Sequence, residues 1–236
     1  MIEHVYRRAA AAHSLDGVVV ATDDERIVQA VENFGGVACL TSAAHASGTD
    51  RLAEIAEQVP AGLIVNVQGD EPFLDPSVID LAVAPLRADA AIQMGTAARR
   101  LRDPRELTNP HMVKVVRDAR GTALYFSRAP IPYTADQSVS HALVHIGLYV
   151  YRRETLLRLA RLPQSPLERA ESLEQLRALE DGIRIHVVES AYESFEVNTP
   201  EDLERARSAS RDNPENRDRE EATGRRSLEV ARRTLA

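Results

Sequence analysis

One cysteine, Cys39, stands in 236 residues, which excludes an intrachain disulfide and any zinc site built on several thiolates. No apolar run approaches the ~20 residues needed to cross a bilayer. The opening residues, MIEHVYRRAAAAHS, lack the apolar segment of a secretory signal, so the chain reads as cytoplasmic. Net positive charge is missing too. A formal charge of −7 and a pI near 5.6 give no general attraction to nucleic acid or to an anionic membrane, and neither is expected as a partner. Lysine is nearly absent: Lys114 is the sole one, so the residue that commonly sits on a triphosphate in nucleotidyl transfer is scarce. What remains is ordinary. With 44% apolar and 28% charged residues, the chain can bury a real core as one large domain or two small ones.

Apolar runs at 15–21, 37–40, 63–67 and 91–97 alternate with helical patterns at 2–12, 25–34, 51–58 and 77–86. That alternation predicts an α/β fold with a doubly wound, mostly parallel sheet. After Pro110 the texture changes. The runs at 112–117 and 122–126, around Ala119-Arg120-Gly121, predict an antiparallel hairpin. Strands follow at 144–151 and 183–188, helices at 153–160 and 166–180, and Thr199-Pro200 opens a final helix. The expected organisation is one domain over 1–208, with a small insertion at about 110–150. The Arg-, Glu-, Asp- and Asn-rich segment 209–236, with a weak helical patch at 227–235, reads as a solvated, disordered tail.

The most informative stretch is LIVNVQGDEPFLDP at 63–76. Leu63, Ile64, Val65 and Val67 make a short buried strand that stops at Gly69, with Asp70 and Glu71 just beyond. Ligands of open α/β sheets collect past the carboxyl ends of strands, where an acidic pair suits a hard divalent cation over phosphates. The same residues suit a helix cap, because aspartate accepts backbone N–H bonds.

Three other segments carry chemistry-bearing side chains. HASGTDR at 45–51 runs glycine and hydroxyl groups into a helix N-terminus, either a plain cap or a seat for anionic ligand atoms. Arg128 offers a fork for a carboxylate, and His145 on the next strand is a catalyst or a satisfied structural group. The helix at 166–180 carries Glu168, Glu171, Glu174 and Gln175, and on charge pattern it presents a solvated face.

The ordered motifs ATDDERIV, HASGTDRLAE, IVNVQGDEP, NPHMVKVV, ALYFSRAPIP, HIGLYVYRRE, SPLERAESLEQLRALEDG and NTPEDLERAR resemble those of the 3-deoxy-manno-octulosonate (Kdo) cytidylyltransferases, from the first residue to about 207. SGTDR, YFSRAPIP and EQLRALEDG favour the Kdo branch over the sialic-acid cousins of that family. The resemblance implies a nucleotide-diphospho-sugar transferase-like, Rossmann-like fold with a small antiparallel dimerisation insertion. It implies magnesium-assisted transfer of CMP from CTP to the anomeric hydroxyl of Kdo for lipopolysaccharide biosynthesis, with pyrophosphate released. Asp70 would be the principal magnesium ligand and Asn198 the second. Ser47, Gly48, Thr49, Arg51 and Gly69 would line the cytidine side, with Gln68 between nucleotide and sugar. Arg128, His145, Tyr149, Glu171 and Gln175 would shape the sugar pocket, Arg128 meeting the sugar carboxylate. A homodimer through the insertion is implied as well.

Two departures stand out. The family opens with a strand and a basic loop of the form PARxxSxRLPxKPL, whereas MIEHVYRRA resembles the helix after that loop. Met1 is therefore expected to be internal to a longer natural protein, whose first, central strand and triphosphate-gripping loop precede it. In EVNTPEDL, Asn198 stands where the family usually has aspartate, a weaker magnesium ligand for lack of charge, with Glu196 or Asp202 as alternatives through water. These departures leave two other readings: an inactive paralogue acting as a partner, and a cytidylyltransferase for another acidic sugar such as sialic acid.

Overall fold

Helix α1 (Ile2–Ala10) turns Val5, Tyr6, Ala9 and Ala10 inward. The Tyr6 hydroxyl donates to Val18 O at 3.2 Å and accepts from Val37 N at 3.3 Å. One phenol thus bridges the approaches to strand β1 (Val20–Thr22) and strand β2 (Ala38–Leu40). The two strands pair in parallel, Val20 opposite Ala38, which requires a crossover. Helix α2 (Glu25–Asn33) supplies it, opened by Asp24, whose carboxylate accepts from Arg26 N at 2.8 Å. Helix α3 (Gly48–Gln58) follows.

The computed structural model describes residues 1–45, 47–133 and 142–212, with side chains through 209. These residues form two compact units. One comprises Met1–Ala61, Asn66–Asp80 and the described residues from Ser194; the other comprises Gly62–Val65 and Leu81–Glu193. Of the tail expected over 209–236, residues 209–212 are helical and the rest, including its helical patch, lies outside the described residues, as do residues 134–141.

Strand β3 (Leu63–Asn66) and helix α4 (Pro76–Ala88) precede the main sheet strands β4 (Met94–Arg100), β5 (Lys114–Arg117), β6 (Ala123–Ser127), β7 (Leu143–Arg152) and β8 (Ile185–Glu189). The strand order is β6-β5-β7-β4-β8, with β3 also paired to β7. β4 runs parallel to β8 but antiparallel to β7, and β5 is antiparallel to both β6 and β7. The α/β class stands, and the sheet is mixed because β7 runs antiparallel to both β4 and β5 while β4 and β8 run parallel. The hairpin turn needs its glycine: Gly121 sits at φ +85°, and a Cβ there would lie 2.8 Å from His186 Cε1. Asp118 Oδ1 closes the turn by accepting from Arg120 N and Thr122 N at 2.8 Å each. Met94, Ala97, Phe126, Ile146, Val150 and Ile185 are at most 1% exposed and form the centre of this unit's core.

Helices α5 (Pro104–Thr108), α6 (Arg153–Ala160), α7 (Pro166–Glu171), α8 (Gln175–Glu180) and α9 (Pro200–Asp212) complete the fold. Three expectations change. The apolar run at 15–21 becomes a strand only at Val20–Thr22. The single helix expected at 166–180 is two, broken at Ser172, which adopts a left-handed φ of 54°. The solvated face expected there is only partly solvated: Glu174 is exposed and Glu171 half-buried, whereas Glu168 and Gln175 are 4% and 5% exposed. No helix among the described residues is long and apolar enough to cross a membrane.

Candidate functional site

In the first unit, the chain leaves β3 through exposed Gln68 and Gly69 and turns at Asp70. Asp75, not Asp70, opens α4, with Ser77 N donating to its Oδ1 at 2.9 Å. The cap reading of Asp70 therefore falls. Glu71 points inward, 3% exposed, and accepts from Ser194 Oγ at 2.9 Å, so only Asp70 of the acidic pair stays a candidate ligand. Three contacts stitch the loop to the segment before α9 and to α1. Val197 N donates to Asp70 O at 2.9 Å, Phe73 meets Phe195 edge-on at 5.5 Å, and Arg8 Nε donates to Leu74 O at 2.8 Å. Asn198 therefore lies one residue past the backbone partner of Asp70.

The Asp70 Oδ1 atom is buried without a hydrogen-bond partner among the described residues. Leaving such an acceptor unsatisfied costs roughly 1–3 kcal/mol, more for a charged group, and a cation would recover it. The exposed Asn198 donates its Nδ2 to Glu196 Oε2 at 3.0 Å, so its amide oxygen is the atom that could meet a cation. Asp202 is committed elsewhere. It accepts from Thr199 Oγ1 at 2.9 Å and Thr199 N at 3.0 Å, bonds that cap α9 and hold its pKa below the usual carboxylate range. Among the described residues no group of three or more His, Cys, Asp or Glu side chains is placed to hold a metal. One carboxylate and one amide oxygen fit a hard cation whose other positions are filled by phosphate and water.

Residues 47–51 stand at the carboxyl ends of the two parallel strands of this unit. Ser47 is the N-cap of α3, its Oγ accepting from Asp50 N at 3.2 Å. Arg51 donates to Thr41 Oγ1 at 2.5 Å and pairs with Asp23 at 3.2 Å, residues just past β2 and β1. Thr49 is 4% exposed, while a Cβ at the exposed Gly48 would meet nothing within 4 Å. The plain cap is realised at Ser47, and the backbone at Gly48 stays open to a ligand. His45, just upstream, pairs with Glu54.

In the second unit, β7 buries Val144, Ile146, Leu148 and Val150 and turns His145 and Tyr149 to its other side. Their rings lie 5.2 Å apart, with Phe126 edge-on to His145 at 5.2 Å. A bulge where β4 pairs with β7, between Thr96 and Ala97, brings these rings together, and bulges re-aim side chains in this way. Thr96 fills it: its hydroxyl donates to Leu148 O at 2.7 Å and lies 2.9 Å from His145 Nε2. With the Thr96 proton spent on the carbonyl, Nε2 of a neutral His145 must be the donor, leaving Nδ1 as an acceptor. Thr96 escaped the sequence reading; its only signal is a hydroxyl inside the apolar run MGTAA.

Glu171 accepts from Ser127 Oγ at 2.6 Å and Arg128 N at 2.9 Å. Arg128 in turn donates Nε to Glu171 O at 2.8 Å, Nη1 to Pro110 O at 2.9 Å and Nη2 to Ser172 O at 3.3 Å. Those bonds use three of the five N–H groups of a guanidinium. Gln175 is buried, and its Nε2 has no hydrogen-bond partner among the described residues. This unit holds all five residues expected around a sugar: Arg128 bonded to Glu171, His145 beside Tyr149, and Gln175 with an unsatisfied amide. Burial pushes the Tyr149 hydroxyl well above its ordinary pKa, so it remains a phenol donor.

Burial pushes the His145 pKa from 6.5 down to about 3. The unfolded chain therefore binds a proton below about pH 6.5 that the folded chain refuses until about pH 3. The stability His145 contributes is present in full above that window. It erodes as pH falls, by at most about 1.4 kcal/mol per pH unit. Melting temperatures taken at pH 7 and pH 5 are expected to drop less for His145→Gln than for the parent protein; equal drops would place the titration elsewhere.

A family model described as cytidylyltransferase matches residues 1–185. A 3-deoxy-manno-octulosonate cytidylyltransferase from Solibacter usitatus is 54% identical over 206 residues, which is 87% of this chain and 82% of that protein. Its namesake from Syntrophotalea carbinolica is 55% identical over 214 residues, 87% of this chain and 86% of that one. Among solved structures, CMP:2-keto-3-deoxy-manno-octonic acid synthetase complexed with CTP aligns with a TM-score of 0.85 at 42% identity, over 89% of this chain and 87% of that one. The 4-diphosphocytidyl-2C-methyl-D-erythritol synthase of Anaerococcus prevotii, at a TM-score of 0.59 and 15% identity over 89% and 88%, shares the fold alone. On both sequence and fold, the chain belongs to the 3-deoxy-manno-octulosonate cytidylyltransferase family of nucleotidyltransferases.

Proposed function

We propose that this protein transfers CMP from CTP to the anomeric hydroxyl of 3-deoxy-D-manno-octulosonate, releasing pyrophosphate, as a cytoplasmic homodimer that serves lipopolysaccharide biosynthesis. The observation that carries the reading is the buried Asp70 oxygen that has no donor among the described residues, on a loop whose backbone bonds Val197, the neighbour of Asn198. Those two residues would hold magnesium, which when bound offsets the charge of the triphosphate and favours an ionised attacking hydroxyl. The remaining work is positioning and charge stabilisation. Gly48 would offer backbone donors to the nucleotide, and Arg51, fixed on Asp23 and Thr41, would give that segment one orientation. Arg128 would direct its remaining N–H groups to the sugar carboxylate, while His145 Nδ1, the Tyr149 hydroxyl and the Gln175 amide would bind sugar hydroxyls. Leu124, 62% exposed on β6, and Tyr133, 92% exposed, support a dimer contact through the insertion.

Pyrophosphate release from CTP and magnesium, measured with Kdo and separately with sialic acid, tests this reading. Turnover with Kdo well above turnover with sialic acid is the expected result. Preference for sialic acid would move the protein to the cousin family, and no turnover with either sugar would favour an inactive partner subunit.

A further inference from the structure

The sole lysine is not on the surface. Lys114 is fully buried at the start of β5, and its ammonium donates to three backbone carbonyls: Asn109 O at 2.9 Å, Met112 O at 2.7 Å and Arg128 O at 2.5 Å. An ammonium has three N–H donors, so all are used within the fold and none is left for a phosphate or a sugar. The three acceptors come from the loop before β5 and from the residue just past β6. Arg128 is held from its other sides as well. Its own N–H is tied to the Glu171 carboxylate, and its guanidinium grips the carbonyls of Pro110, Glu171 and Ser172. Pro110 lies inside the 109–112 loop that Lys114 ties down, so lysine and arginine fix the same loop from two directions.

We propose that Lys114 is a positioning residue for the acidic sugar: it locks the Arg128 backbone and the 109–112 loop so that the arginine fork is set for a carboxylate. The inference rests on the proposed function and goes a step beyond it, because Lys114 touches no substrate. Charge supports it. Lys114 and Arg128 place two cations against the single carboxylate of Glu171, an excess of positive charge that a carboxylate ligand balances. Burial, with the Arg128 charge adding to it, pulls the Lys114 pKa below the usual lysine range, a sign that the ammonium is held at some expense. A buried methionine would fill the same volume without bonding the three carbonyls.

Lys114→Met is expected to raise the KM for the sugar tenfold or more while the KM for CTP stays within about twofold. In an Arg128→Met background the same change is expected to add nothing, since both act on one fork. A lysine that merely stabilised the fold would lower the melting temperature, disturb both substrates alike and multiply with Arg128→Met; that pattern, or an unchanged sugar KM, overturns the proposal. Should Lys114→Met not fold, the parent protein still decides the matter. As the only lysine, Lys114 gives a single Cε resonance in isotope-labelled protein. That resonance is expected to move on titration with sugar and to stay put with CTP alone; an unmoved resonance at saturating sugar overturns it. A parent protein with no turnover rejects the function, whereas normal turnover with either negative result rejects only the role of Lys114.

Discussion

Asp70→Asn is expected to abolish most nucleotidyl transfer, lowering kcat by about 10²-fold or more, while leaving the protein as stable as before or more so. The substitution is nearly isosteric and replaces a carboxylate by a neutral amide. The Asp70 Oδ1 atom is buried with no donor among the described residues, and an acceptor buried without a donor costs free energy. Removing the carboxylate charge relieves the free protein and removes what a cation would bind. The backbone bond from Val197 N to Asp70 O is untouched by the change, so the loop keeps its place beside Asn198. Binding of manganese as a spectroscopic stand-in should weaken in parallel with kcat, and the melting temperature should hold or rise. Loss of stability together with activity would instead mark Asp70 as a fold residue. Asn198→Asp provides the reciprocal test: a second carboxylate beside the first should tighten divalent-ion affinity.

The legible parts of this protein are those in which one residue type has one physical use. An apolar strand that stops at a glycine and an acid is readable because strand ends gather ligands, and Asp70 is found at such a place. The hairpin was readable from Gly121, since only glycine serves at φ +85° under His186. Ser47 is readable as a cap because a hydroxyl at a helix start accepts a backbone N–H. What stayed hidden depends on partners far away in sequence. Nothing in PLERAESLEQLRALEDG announces that Glu168 and Arg177 meet in the interior, because their spacing of nine suits neither face of one continuous helix. Thr96 looks like a lapse in an apolar strand until the bulge opposite it supplies two carbonyls and an imidazole. Lys114 looks like a surface charge on a hairpin, and only the convergence of three carbonyls explains how an ammonium is buried there. Arg128 is legible as a fork suited to a carboxylate, but not as one whose first three guanidinium bonds are to backbone.

Arg177→Met is expected to destabilise the protein by about 3–5 kcal/mol, among the largest losses from any single change outside the apolar core. Arg177 Nη2 and Nε donate to the two Glu168 oxygens at 2.5 and 2.8 Å, with the side chains 7% and 4% exposed. Burial alone would raise the Glu168 pKa, yet Arg177 and the Ser165 N–H reverse the sign and keep it ionised below the usual range. Taking away the guanidinium therefore strands a charge in the interior, which is costlier than the pair itself is favourable. For a chain of this size the melting temperature should fall by roughly 10 °C. The double variant Glu168→Leu/Arg177→Met should recover much of that loss, because it leaves no charge behind. It should still fall short of the parent by about 1 kcal/mol, since Glu168 also accepts from Ser165 N at 3.1 Å in a capping box. Additive single-variant losses would mean that the two side chains do not share one buried bond. The pair also spans the break at Ser172, with Glu171 on one side of it and Gln175 on the other. Weakening it should loosen both residues at once, so the sugar KM of Arg177→Met should rise more than its CTP KM even where the protein remains folded.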